Sequence, residues 1–137
     1  MTELIDYNVI KESTTKTVRL RLLSNGVVHY SYLPNSTVCE IEHLVNHDAI
    51  VEFTQNIKHL VILDTGEFLN LTPEARKLIR KLEETVPVAA RAVVVKTLGE
   101  RMIINFYISF HKPIIPTKVF SNYENAMLWL NNKNLSN

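Results

Sequence analysis

Residues 17–33, TVRLRLLSNGVVHYSYL, alternate apolar and polar positions on both sides of Asn25-Gly26. Asn-Gly supplies the positive φ angles of a tight hairpin turn, so this stretch predicts two antiparallel strands. The segment before it, TELIDYNVI, has the composition of a further edge strand but no clear period. Residues 40–57 change period. Ile41, Leu44, Val45, Ala49 and Phe53 fall on one broad helical face. HLVILD, 59–64, is an unbroken apolar run of strand length, as expected of a strand covered on both faces.

Thr72-Pro73-Glu74 opens the next helix. Thr72 can cap it, Pro73 suits the first helical position, and Ala75, Leu78, Ile79 and Leu82 form its apolar stripe. RAVVVK, 91–96, predicts a second buried strand, and Thr97 can cap a helix over 98–110. Pro113 and Pro116 exclude a helix, and TKVF, 117–120, is a short strand. Ser121 and Glu124 match a capping box for a last helix with the stripe Tyr123, Ala126, Met127 and Leu130. Helix and strand alternate after the hairpin, which implies parallel strands joined by right-handed crossovers. The expected architecture is a single α/β domain over 1–137, a mixed sheet of about five strands with an N-terminal hairpin and about four helices. Residues 61–64 and 92–95 are its central strands.

Composition narrows the function classes. At 137 residues the chain makes one domain and needs no disulfide or metal to fold. A net charge of +1 gives no field to draw it onto nucleic acid or an anionic membrane. Cys39 is the single cysteine, which excludes an internal disulfide and a multi-cysteine metal site. Nothing reads as a signal peptide or a membrane span, so the expectation is a cytoplasmic domain.

The chain resembles the STAS fold, the SpoIIAA-like anti-sigma-factor-antagonist domain. The resemblance rests on the hairpin ending in YLPNSTV, on VILDTGEFLNLTPEARKLI, and on INFYISFHKPIIPTKVFSNYENAMLWL. It covers about residues 17–132. More closely, the chain looks like an uncharacterised bacterial STAS-like family known mainly from Bacteroidetes, through Asn105-Phe106-Tyr107, Lys112-Pro113, Pro116-Thr117-Lys118 and Trp129-Leu130. In antagonists of this fold a kinase phosphorylates a serine at the start of the second helix. The resemblance puts Thr72 near the aspartate of that motif and Pro73-Glu74 near its serines. The phosphorylatable serine is absent, and Glu74 places a permanent negative charge there. Asp64, Thr72, Glu74 and Arg76 are therefore candidates for a switch position or partner contact.

Other clusters carry weaker chemistry. Asp64-Thr65-Gly66 matches an aspartic-protease half-site, but that chemistry needs two facing aspartates in an all-β fold. The competing account is a strand end at which Asp64 bonds local backbone and Gly66 permits the turn. Glu40, His43 and His47 share one side of the first helix, which suggests zinc, yet no further ligand is evident and the side reads as solvated. Cys39, beside a helix start, could have a lowered pKa. Arg76, Lys77, Arg80 and Lys81 form the outer face of the second helix. The helix over 98–110 is apolar in nearly all directions around the polar stripe Arg101, Asn105 and Ser109. It has more apolar surface than one sheet face absorbs. Arg101, Ile104, Asn105 and Ile108 are thus the candidates for an interface or ligand contact, with Ile104 and Ile108 expected to point off the domain.

The sequence lacks a convergent nucleophile–base set, a phosphate loop and a metal cluster, so no enzyme, metal or cofactor is implied. The leading reading is a non-enzymatic regulatory or interaction domain that binds a protein partner or itself as a homodimer. The alternative is a carrier of a small apolar molecule or lipid. A carrier should show a large apolar pocket lined by the third helix, and a partner-binding domain a flat apolar patch.

Overall fold

The computed structural model describes residues 7–110 and 113–133, with the side chains of 103, 106, 107, 109 and 110 left aside. His111 and Lys112 lie outside the described residues. The element order is β1 (Val9–Thr14), β2 (Val18–Leu23), β3 (Val28–Tyr32), β4 (Thr37–Val38), α1 (Glu40–Thr54), β5 (His59–Asp64), β6 (Asn70–Leu71), α2 (Pro73–Lys81), β7 (Val88–Val94), α3 (Leu98–Phe110), β8 (Thr117–Phe120) and α4 (Tyr123–Asn131). Six strands form one mixed sheet in the order β1-β2-β3-β5-β7-β8, and β4 pairs with β6 in a separate two-stranded ribbon. The sequence pattern gives five strands. The sixth is β1, an exposed edge antiparallel to β2, and two-residue strands such as β4 and β6 are too short to leave a period.

The hairpin forms as expected, with Val18 opposite Tyr32 and Gly26 at φ 87°. β5 lies between β3 and β7, and β7 between β5 and β8, so both apolar runs are interior strands. Strand β7 begins at Val88, three residues before the expected start. The strands β3, β5, β7 and β8 are parallel and advance across the sheet in one direction. Right-handed crossovers then place α1, α2 and α3 together on one face. The closing helix α4 covers the other face. There Tyr123, Ala126, Met127 and Leu130 pack on Leu60, Ile62, Ala90, Ala92 and Val94.

Two helix details differ from expectation. Helix α4 is capped by Asn122, whose side chain accepts from the Asn125 backbone N–H at 2.9 Å, rather than by Ser121. Asn and Ser cap about equally well, and starting one residue later keeps all four apolar positions inward. Helix α1 ends at Thr54, where Gln55 turns left-handed. Its inner face is only partly the expected one, with Phe53 buried and Ala49 half-buried as expected. Ile41, Leu44 and Val45 are 70%, 45% and 49% exposed, whereas Asn46, Ile50 and Phe53 are buried.

Polar bonds decide that rotation. Asn46 accepts from the Thr15 and Thr17 hydroxyls at 2.7 and 3.2 Å and donates to Thr17 Oγ1 at 2.8 Å. Lys11 reaches from β1 to the Phe53 carbonyl at 2.6 Å, a cation at the negative end of the helix. Turning Ile41, Leu44 and Val45 inward would unmake the Asn46 bonds and leave its amide unsatisfied or exposed.

Gly66 marks where β5 leaves the sheet. Its φ is +68°, and a Cβ placed there would stand 2.6 Å from the Tyr32 carbonyl oxygen. Gly26 also has positive φ but faces open space. We expect Gly66→Ala to cost at least about 2–3 kcal/mol and Gly26→Ala about 1 kcal/mol. Urea unfolding of both variants measures the gap, and equal losses would contradict the close approach to Tyr32.

Candidate functional site

The face shared by α1, α2 and α3 is not filled. A cavity of about 490 Å³ lies between those helices and the sheet. Its floor is the side-chain row that β3, β5 and β7 turn toward the helices, chiefly Tyr30, Tyr32, Val61, Leu63 and Val93. Ile50 of α1, Ile79 of α2, and Ile104 and Ile108 of α3 form its walls. The gap follows from element lengths. Helix α2 has nine residues, about 13 Å of helix, between a fifteen-residue α1 and a thirteen-residue α3. A short middle helix leaves sheet surface uncovered.

The polar lining is sparse and mostly committed. Arg91 donates to both Glu83 carboxylate oxygens at 3.2 and 2.9 Å and to Thr117 Oγ1 at 3.2 Å. His47 Nε2 meets Thr85 Oγ1 at 3.1 Å. Burial lowers the His43 pKa to about 4, so its ring is neutral near pH 7. Burial also raises the pKa of the Tyr30 and Tyr32 hydroxyls above their ordinary value, keeping them protonated. The tyrosine rings meet edge-on, with centroids 5.3 Å apart. Arg76 Nη1 donates to the Leu71 carbonyl at 2.7 Å on the rim.

Several expectations are corrected by this arrangement. Ile104 and Ile108 line the cavity instead of pointing off the domain. His43 and His47 also line it rather than a solvated face, while Glu40 stays exposed. The helix rotation set by Asn46 brings the two histidines inward. Arg76 and Arg80 turn to the cavity as well, leaving Lys77 and Lys81 on the outer surface of α2. Asn105 is exposed. Arg101 lines a separate, smaller depression with Lys96, Thr97, Leu98 and Ser121. The Cys39 thiol donates to the Glu42 carboxylate, which raises its pKa rather than lowering it. Among the described residues no group of three His, Cys, Asp or Glu side chains could hold a metal ion.

The switch candidates are separated by the fold. Thr72 caps α2 by accepting from the Ala75 N–H at 3.1 Å, and Glu74 is exposed in the first turn. Asp64 lies under α4, on the opposite face from the cavity. Its Oδ1 accepts from the Gly66 N–H at 2.8 Å, and its Oδ2 accepts from the Tyr123 hydroxyl. Asp64 thus serves a strand-end turn, with both carboxylate oxygens engaged. His29 completes a buried chain, with Nε2 3.3 Å from the same hydroxyl. Sequence reasoning passed over His29. Its signal is its place at a polar position in a strand buried on both sides.

The sequence from 21 to 134 matches the model of a family described as Domain of unknown function (DUF7793). The chain belongs to that family. A crystal structure of an uncharacterised protein from the DUF3478 family, with a SpoIIAA-like fold and from Shewanella loihica PV-4, is similar in fold. The TM-score is 0.58 at 12% identity, over 90% of this chain and 94% of that one. The fold is thus the SpoIIAA-like α/β arrangement expected from the sequence. No curated protein matches. Among the described residues, no helix is long and apolar enough to cross a membrane.

His29 gives this network a pH signature. Burial, the largest cause, lowers its pKa from 6.5 to about 4. The unfolded chain therefore binds protons first, and stability contributed by neutral His29 is present above about pH 6.5 and lost as pH falls toward 4. That contribution is about 3 kcal/mol. Urea unfolding between pH 7 and 4.5 should show a steady loss that is shallower in His29→Gln. An unchanged slope in the variant would contradict a neutral, buried His29.

Proposed function

We propose that this DUF7793 member is a non-enzymatic binding domain that encloses a small apolar molecule between its sheet and helices α1, α2 and α3. The observation that carries the reading is the cavity of about 490 Å³ with Ile104 and Ile108 in its wall. Small-molecule sites span roughly 300–1,000 Å³ and are mostly apolar with a few placed polar groups. This lining fits that description, and the share of the third helix in it supports a carrier reading over a partner-binding one.

Wetted apolar surface favours an occupant. Voids left by core truncation cost about 24 cal/mol per Å³. The space here is not such a sealed void: its rim opens to solvent past the exposed Asn70, Arg76 and Arg80, so it is wetted when no ligand is bound. Wetted leucine and isoleucine surface remains unfavourable. A ligand removes that penalty.

A second reading, an interaction surface, is favoured by the outer side of α1. Ile41, Leu44 and Val45 stand exposed at helical spacing. Covering them by a protein partner or a second copy would bury apolar area without using the cavity. Sedimentation of the parent and of Ile41→Asp measures whether self-association uses this stripe.

The cavity reading predicts a thermal shift. A ligand at a hundredfold its Kd stabilises by about 2.7 kcal/mol, or about 5–10 °C for a domain of this size. Nile red, a neutral apolar dye, should brighten and blue-shift on the parent and be displaced by decan-1-ol. Ile104→Trp, which fills the cavity, should stay folded and lose dye binding. A parent that binds neither dye nor alcohol, or an Ile104→Trp variant that binds as the parent does, would overturn the reading.

A further inference from the structure

We propose that the ligand is a monoanionic amphiphile, an alkyl chain ending in a carboxylate, with its chain in the cavity and its head group on the guanidinium of Arg76. This rests on the apolar-cavity reading and adds the chemical class. The chain is the simpler half. A methylene occupies roughly the volume of a water molecule, about 30 Å³. A cavity of about 490 Å³ then has room for a chain of up to about sixteen carbons, and a chain on the order of ten fits within it. Its floor and walls present Val61, Leu63, Ile50, Ile104 and Ile108, none of which asks for a polar atom.

The head group follows from the state of each charged residue on the lining. Arg91 is neutralised by its two bonds to Glu83 and has no charge to offer. Arg80 already has an interaction of its own and adds only general positive potential. Glu100 belongs to the first turn of α3, where its carboxylate accepts from the Thr97 hydroxyl at 2.9 Å, so an anion is unfavourable at that end. Burial keeps His43 neutral, and the His47 ring is engaged with Thr85.

Arg76 differs from all of these. It makes no ion pair among the described residues, and its single bond, from Nη1 to the Leu71 carbonyl, holds it across the rim between α2 and β6. The remaining donors of its planar fork stay available, and a carboxylate matches them two at a time. The floor beneath is apolar, so a chain entering past Arg76 has its polar end at the rim and its apolar end inside.

Isothermal titration with decanoate and with decan-1-ol, each below its aggregation threshold, tests the class. The parent should bind decanoate ten- to a hundredfold more tightly than the alcohol, and rising salt should weaken decanoate alone. In Arg76→Gln the acid-to-alcohol ratio should fall to near one. Arg76→Lys, which keeps charge without the fork, should fall between. Lys77→Gln, on the outer side of α2, should keep the parental ratio. Equal binding of acid and alcohol by the parent, with no salt dependence, would overturn the anionic class while leaving the cavity reading standing. An unaltered ratio in Arg76→Gln would overturn the role of Arg76. Binding of neither compound would remove the cavity reading and this proposal with it. The salt dependence of the parent decides the class even where a variant fails to fold.

Discussion

Everything about the cavity depends on one topological constraint. The strands β3, β5, β7 and β8 run parallel and advance in a single direction across the sheet. Crossovers between parallel strands are right-handed, so the three connecting helices must share a face. The opposite face is left to α4 alone, which follows the last strand. The packing of the two faces differs accordingly. Under α4, small residues such as Ala90, Ala92 and Ala126 let helix and sheet close tightly, and Leu130 is fully buried. On the crossover face, the shortest helix stands in the middle and the floor beneath it stays open.

The two faces meet at the end of β5. Asp64 points toward α4 and joins Tyr123 and His29, while the next residue, Thr65, belongs to the cavity lining. Gly66 then turns the chain beneath the Tyr32 carbonyl, so that β6 can pair with β4 at the cavity rim. The Asp64-Thr65-Gly66 stretch forms a corner that holds a compact side and an open side in register. The aspartate serves that corner through the local Gly66 N–H and the Tyr123 hydroxyl, 59 positions along the chain.

Much of the fold was legible because it rests on patterns with a single solution. The runs at 61–64 and 92–95 have no polar side to expose, and both lie in interior strands, the second as far as Val94. Asn25-Gly26 admits few turns, and the stripe of Tyr123, Ala126, Met127 and Leu130 has one inward direction. Helix α1 offers two overlapping apolar faces that share Ala49 and Phe53: the expected one adds Ile41, Leu44 and Val45, the observed one Ile50. The choice between them is made by the bonds of Asn46 to Thr15 and Thr17, which lie some thirty positions away and leave no periodic trace. The same rotation decides whether His43 and His47 are surface or site. The pattern marks α3 as apolar on most sides, but the direction of Ile104 and Ile108 depends on where α2 stops, a matter of length that hydrophobic pattern does not encode. Arg76 reads from the sequence as a switch-position or partner-contact candidate, and its place over the cavity rim depends on its bond to β6.

The central claim is that apolar ligands enter the space between the sheet and the three crossover helices. Its most direct measurement is a methyl-resolved NMR titration of isoleucine-labelled protein with a small neutral apolar probe such as decan-1-ol. The account predicts shifts and probe-to-methyl contacts at Ile50, Ile104 and Ile108, which line the cavity, with Ile41 and Ile57, both exposed, unmoved. Contacts confined to Ile41 or Ile57, with the cavity methyls unchanged, would contradict it and turn attention to the outer side of α1.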